Sequence, residues 1–517
     1  VTTRAPGAPW WQTSVVYQIY PRSFASSGPD GIGDLAGVRS HLDHLTWLGV
    51  DALWLSPVFP SPMVDFGYDV SDYCGIDPLF GSLADFDALV SAAHAAGVRV
   101  ILDFVPNHSS DQHPWFQASR SSRDDPKRDW YVWRDPAPGG GPPNNWVATF
   151  VDGPAWTFDD RTGQYYLHCF MPQQPDLNWA NPDVVEAMHG ALRFWLDRGV
   201  DGFRIDVVHL IGKDPDLADD PPEMLPIPHS ALNNRPETHA LLRGLRTLLD
   251  SYPGDRMMVG DVFLLDTQMV ATYYGANDEL HLSFNFPPLF TPWDAARWRK
   301  QIDITTSELD PIGAWPTWVL SNHDNRRHRT RYDGREDRAR AAIVMLAGLR
   351  GTPFLYAGEE LGLEDALIPP DRVVDPGGRD GCRAPLPWDP TPEHGWGTTD
   401  PWLPWPPDAD ARNVATLRDD PSSILHLYRR MLACRRESTA LRLGDQTMLE
   451  ALPADVLGWA RSSAEDRRIV LVNFGDAAAE VTGIEGIVDV ASDGVGEGKP
   501  FAGRLGPAQG VVMRSPI

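Results

Sequence analysis

Three aspartates, Asp206, Asp261 and Asp324, sit at or just past the ends of three short apolar or β-branched runs, GFRID, MMVGD and TWVLSNH. A fourth run, VRVILDFV, carries Asp103 and leads into Asn107 and His108, while Arg204 and His323 stand beside the later aspartates. If these runs are parallel strands, their polar ends converge at one end of a sheet. Any one of these residues alone reads as an ordinary strand-end or cap residue; it is the convergence that points to chemistry. Carboxylates gathered in a water-poor cleft disfavour one another's ionisation, so one can keep its proton while another attacks as an anion. Cleaving a glycosidic bond with retention needs that division of labour.

The elements that would position these groups are legible in the same pattern. VVYQIY (15–20), ALWLSP (52–57), VRVILDFV (98–105), GFRID (202–206), MMVGD (257–261), LSFNF (282–286), TWVLSNH (317–323) and TPFLYAG (352–358) make eight strand candidates. Between the first two, Leu35, Val38, Leu42, Leu45 and Leu48 recur at helical spacing up to Gly49. A second helix is expected over 82–97 with Ser82 as N-cap, and a third opens at Asn181 and Pro182, burying Val185, Met188, Leu192 and Trp195 before Gly199. Eight strands with helices in most gaps suit a closed (β/α)8 TIM barrel, although a doubly wound sheet shares much of the alternation. The catalytic barrel is expected over 1–107 and 176–440. Residues 108–175 are too long and turn-rich for a βα connection and read as an inserted loop-rich subdomain after strand three. The stretches 212–236 and 360–415 are expected to wall a cleft. Beyond 440, DVLGWA and RIVLVNF suggest a C-terminal antiparallel β domain over 441–517.

Composition narrows the class. The 517 residues carry 71 acidic against 45 basic side chains, a formal charge of −26 that would repel a phosphate backbone, so nucleic acid is excluded as a partner. Four scattered cysteines encode neither a disulfide scaffold nor a zinc cluster. No run approaches a membrane span and the first residues lack a signal-peptide core, so a cytoplasmic protein with a small-molecule sugar substrate is expected.

These residues resemble the α-amylase superfamily of retaining glycoside hydrolases (glycoside hydrolase family 13), in its α-glucosidase and oligo-1,6-glucosidase branch. DFVPNH (103–108), GFRID (202–206), the glycine and carboxylate at 260–261, and SNHD (321–324) look like its four signature segments in order, and QPDLNW (174–179) like an additional α-glucosidase segment. The resemblance implies Asp206 as nucleophile, Asp261 as general acid and base, and Asp324 as the carboxylate that grips sugar hydroxyls. Arg204 would hold Asp206 ionised, and an internal ion pair with Asp103 is compatible with that role. His108 and His323 would donate to the sugar. Asp65 and Tyr68 would cap and stack on the terminal glucose, Arg383 would complete the clamp with Arg379 as competing choice, and Phe150 and Phe170 would line the pocket. A pocket so closed favours exo-action on short oligosaccharides, with transfer to another acceptor as a further outcome. No organic cofactor is implied.

Three departures from the family pattern stand out. At 261 the family has glutamate; aspartate is one methylene shorter, which draws the carboxyl back by roughly 1.5 Å. A natural adaptation, an introduced substitution that slows turnover, and a silent sugar-binding protein on the same fold are the competing explanations. In SSGPDGIGDL (26–35), Ser26 and Gly28 replace two side-chain ligands of a calcium loop, leaving Asp30 and Asp34, so no metal is expected and a glycine-rich turn is the simpler reading. Val207 resembles the valine of 1,6-cleaving members, and is equally an ordinary strand residue.

Overall fold

The computed structural model describes residues 7–221, 232–375 and 377–516. All eight expected runs form parallel strands: β1 (Val16–Ile19), β2 (Ala52–Leu55), β3 (Arg99–Phe104), β4 (Gly202–Ile205), β5 (Met257–Gly260), β6 (Leu282–Ser283), β7 (Thr317–Val319) and β8 (Thr352–Tyr356). Pairing runs β7-β8-β1-β2-β3-β4-β5-β6, so the two ends of the sheet are consecutive in the chain. That order belongs to a (β/α)8 barrel and not to a doubly wound sheet. At the seam a side chain substitutes for the ladder. The Thr317 hydroxyl donates to the Ser283 carbonyl at 2.9 Å and accepts the Asn285 N–H at 3.1 Å.

Two strands are shorter than their apolar runs. β7 stops at Val319 because Asn322 folds the chain into a turn, its Oδ1 accepting the backbone N–H groups of Asp324 (3.0 Å) and Asn325 (2.9 Å). β6 keeps two residues before Pro287 begins a short 3-10 helix. One core cluster collects alternate strand residues, among them Val16, Ala52, Trp54, Ile101, Val259 and Phe354, as the inward row. Intervening residues such as Tyr17, Leu53, Leu102 and Phe203 belong to the larger cluster with the helices. Burial on both faces is why the strand sequences read as apolar runs without alternation.

The helix Leu83–Ala95 starts at a capping box of Ser82 and Asp85, and Pro182–Asp197 starts at Asn181, which accepts the Asp183 N–H. Val184 takes the buried place expected of Val185, which is half-buried. The expected helix between β1 and β2 is two segments, Leu35–Ser40 and Leu42–Leu48, parted at His41, whose ring centroid lies 3.6 Å from that of Trp388.

Between β3 and β4 lies an antiparallel sheet of Trp133–Arg134, Gln164–Leu167 and Trp156–Asp159. A five-stranded antiparallel sheet follows the barrel, and its Trp459 donates to the Gly348 carbonyl at 3.0 Å at the end of the helix Glu336–Gly348. The stretch 212–236 falls partly outside the described residues; 360–415 is mostly turns and carries Asp375, Arg379 and Arg383. All four cysteines are free thiols. Among the described residues no helix is long and apolar enough to cross a membrane.

Candidate active site

Backbone geometry at the strand ends aims the polar side chains. Asp206 and Asp261 extend β4 and β5 by one residue, their N–H groups bonding the carbonyls of Phe104 and Ile205, both at 2.8 Å. Val207 then reverses the chain with φ 35° and ψ 41°. A β-branched residue in this left-handed region costs roughly 1–2 kcal/mol, so the reading of Val207 as an ordinary strand residue is overturned. It is a strained turn that leads from Asp206 directly into the short helix Val208–Leu210.

Arg204 is the hub of the site. Its register partner on β3 is Asp103, which it holds through Nη1 at 2.9 and 3.2 Å. The same Nη1 donates to Asp206 Oδ1 at 2.6 Å, and Nη2 donates to Asp261 Oδ2. Both expectations for Arg204 therefore meet in one guanidinium, but it is divided among three carboxylates. Burial is the largest influence on Asp206 and, with the charges of Asp261, Asp103 and Asp324, outweighs Arg204 and raises its carboxyl well above the usual range. Asp261 is pushed up to about 6 for the same reasons. Arg204 does pair with Asp206 as expected, but it is shared, and burial with the neighbouring carboxylates works against the charge on both Asp206 and Asp261.

Asp324 is built differently. Its side chain is 33% exposed, and its Oδ1 accepts from Arg379 Nη1 and Arg383 Nη2, both at 3.1 Å. Burial works against its charge, yet His323 and then these guanidiniums hold its carboxyl below the usual range.

The clamp differs from the one first expected. Arg379, not Arg383, reaches Asp65, with Nη2 to Oδ1 at 2.6 Å, and its Nε and Nη2 also grip Asp375 at 2.9 and 2.6 Å. Arg383 has no exposed surface and donates to the His323 carbonyl at 2.8 Å as well as to Asp324. Sequence reasoning had weighed Arg379 second because both arginines share one loop and spacing could not rank them. It missed Gln174, whose Nε2 lies 3.1 Å from both Asp65 Oδ2 and His108 Nε2; its place at the head of QPDLNW was the available signal.

His323 has its tautomer set by Gln18, whose amide donates to Nδ1 at 2.7 Å, leaving Nε2 to face the Tyr68 hydroxyl at 2.5 Å and Asp324 Oδ2 at 3.3 Å. Tyr68 stacks one ring face on His323 with a centroid separation of 5.4 Å and donates to Asp103 at 3.1 Å. Burial lowers His323 to about 3 and His108 to about 4, so both rings are neutral near pH 7. Phe170 lies 5.1 Å from His108 and 5.9 Å from Phe150, which is 39% exposed with the Arg379 guanidinium 4.8 Å from its ring. The candidate residues thus form one connected cluster at the C-terminal end of the barrel.

At the glycine-rich turn, both carboxylates are committed locally. Asp34 accepts the Gly37 N–H at 2.6 Å as a helix cap and the Ser27 hydroxyl at 2.6 Å, and Asp30 accepts the Ile32 N–H at 3.1 Å. These residues fit a turn and a cap better than a calcium cage, which wants six or more oxygens.

A parallel barrel with several carboxylates and a shared arginine at its C-terminal mouth is the architecture of a barrel glycosidase. The family model for the α-amylase catalytic domain matches residues 18–444, and the chain belongs to that family. It is 42% identical to a probable α-glucosidase of Rhizobium meliloti (strain 1021) over 92% of this chain and 91% of the relative. An oligo-1,6-glucosidase of Parageobacillus thermoglucosidasius is 36% identical over 90% of this chain and 91% of its own. Among solved structures, the α-glucosyl transfer enzyme XgtA is 41% identical with a TM-score of 0.91, covering 98% of this chain and 100% of its own. The trehalulose synthase MutB from Pseudomonas mesoacidophila MX-45 is 34% identical with a TM-score of 0.92 at the same coverage. The protein is a glycoside hydrolase on a TIM barrel.

Proposed function

We propose that this enzyme is a retaining α-glucosidase that removes terminal glucose from short α-glucosides, with glucosyl transfer to a second hydroxyl compound as its other outcome. The observation that carries this reading is the unequal treatment of three carboxylates in one cluster: Asp206 and Asp261 share Arg204, while Asp324 has two arginines of its own. In this mechanism an Asp206 oxygen attacks the anomeric carbon as the bond to the leaving oxygen breaks, and Asp261 gives that oxygen its proton. Water or an acceptor hydroxyl then returns a proton to Asp261 while its oxygen displaces Asp206 from the anomeric carbon. Asp324 stays anionic, where it accepts sugar hydroxyls and favours the positively charged transition state. Asp65, Arg379 and Gln174 close the pocket around the terminal ring, which supports exo-action. Names among the relatives, from oligo-1,6-glucosidase to a trehalulose synthase variant in complex with sucrose, support both hydrolysis and transfer.

A 5-fluoro-α-glucosyl fluoride trap followed by peptide mass spectrometry tests the reading: Asp206 is expected to carry the added glucosyl group. The contact between Asp261 and Arg204 favours a second reading, an attenuated or silent sugar binder, because a guanidinium stabilises the ionised carboxylate and so makes it a poorer proton donor. A protein that binds glucose yet stays unlabelled at Asp206, and leaves maltose, isomaltose, sucrose and trehalose intact, would establish that second reading.

A further inference from the structure

A cavity of about 370 Å3 opens at the opposite, N-terminal end of the barrel, beneath the starts of β1 to β4. Four arginines line it, Arg99, Arg435, Arg436 and Arg442, against two carboxylates, Asp51 and Asp201. The carboxylates are already committed. Asp201 accepts from Arg99 and Arg256, both at 2.9 Å, from His94 at 2.7 Å and from the Val100 N–H at 2.9 Å. Asp51 accepts the Val15 N–H at 2.9 Å and Arg436 at 3.3 Å, and burial disfavours its charge.

Arg435 is the telling residue. It is 1% exposed, and its Nη atoms donate to the carbonyls of Ala347 (2.8 Å), Leu349 (3.3 Å) and Gly351 (2.5 Å). Its Nε has no hydrogen-bond partner, and the carboxylate whose charge it feels, Asp51, is bonded to Arg436 rather than to it. Burial lowers its pKa only to about 10, so it remains a cation. A buried cation that shares one carboxylate with a second arginine is under-compensated, and the cavity beside it is where a further anion would lie. This excess of cations sits in a chain whose net charge is −26, so it is not part of a generally basic surface.

We infer that this cavity binds a small oxyanion of the phosphate class, free or as a monophosphate ester. Its volume falls within the roughly 300–1,000 Å3 of small-ligand sites. Arg99 and Asp103 lie at the two ends of β3, about 13 Å apart at 3.3 Å per residue, so a ligand here stands away from the reacting atoms. It would tie the starts of the strands to the helices Ile424–Glu437 and Thr439–Leu443, which carry Arg435, Arg436 and Arg442. Its effect is on the stability of this joint.

The test is the apparent melting temperature of the full chain, titrated with inorganic phosphate and separately with glycerol 3-phosphate, at an ionic strength held constant with sodium chloride. A saturable rise is expected. The double variant Arg436→Gln, Arg442→Gln should weaken the half-saturating concentration by about tenfold or more, as expected for losing charged partners of a bound ion. Asp51→Asn, which removes a repelling carboxylate, should tighten it. Reading each variant's shift against its own baseline separates lost binding from lost stability. Earlier saturation by the ester assigns the carried form and equal saturation the free ion, and either upholds the site. No saturable rise over chloride, or variants that titrate like the parent, overturns it.

Discussion

The two sides of the candidate active site treat their carboxylates in opposite ways. On the β4 and β5 side, Asp206 and Asp261 divide one guanidinium that also serves Asp103, and burial pushes both carboxyls up. On the β7 and β8 side, His323 lies beside Asp324 and Arg379 and Arg383 both address it, and together they hold its carboxyl down. The same residue type becomes a proton store on one wall and a permanent anion on the other. What separates them is the company each carboxyl keeps: one guanidinium shared among three carboxylates on the first wall, and His323 with two arginines around a more exposed carboxylate on the other.

The strongest way to break this contrast is to remove the member proposed to attack. Asp206→Asn should lower kcat/KM for aryl α-glucosides by about 10⁴-fold or more, as for loss of a nucleophile, and abolish the 5-fluoroglucosyl adduct; retention of the adduct would place the nucleophile elsewhere. On the other wall, Arg379→Ala takes away the partner of Asp65 and one of the two arginines on Asp324. Losing one partner of buried charge pairs costs about 2–5 kcal/mol, so KM for short α-glucosides should rise at least about thirtyfold, while the Asp324 pKa followed by carbon NMR should climb.

The pH profile sharpens the contrast. A carboxyl raised to about 6 is protonated below that value and loses its proton above it, so a general acid at Asp261 works on the acidic side. For alkyl glucosides kcat/KM should fall as pH rises through about 6, whereas aryl glucosides with good leaving groups should show a shallower decline. The same linkage predicts that the folded state loses stability between about pH 4 and 6, where the unfolded chain has released a proton that the folded pair retains. Asp261→Glu restores roughly 1.5 Å of reach. A misplacement of about 1 Å can cost about a hundredfold, so this variant should gain about ten- to a hundredfold on alkyl glucosides; no gain would show that the backbone already compensates for the shorter side chain.

The smallest effect is expected at the joint between these groups. Val207→Gly relieves a left-handed valine worth roughly 1–2 kcal/mol but adds backbone entropy to the unfolded chain. Its net stability in urea should therefore lie within about 1 kcal/mol of the parent. A larger loss would mean that the valine side chain contributes packing beside Asp206 that outweighs its strain.

The eight strands, the capped helices at Ser82 and Asn181, and the polar residues at strand ends were legible from local patterns, since apolar runs, caps and glycine stops act over a few neighbours. The break at His41 was not, because Trp388, more than three hundred residues away in the chain, packs on its ring. Nor was the left-handed turn at Val207, where tertiary packing overrides a β-branched preference for strands.

By itself, the amino-acid sequence determined the barrel, the family and the set of ionisable residues gathered at its mouth. Only the tertiary structure decided that Arg204 serves three carboxylates, that Arg379 rather than Arg383 holds Asp65, and that an arginine-lined cavity lies at the far end. Residue type and strand position follow from short-range pattern. The sharing of a counterion depends on distances of a few ångströms between groups from distant segments, and those distances set which carboxyl keeps its proton.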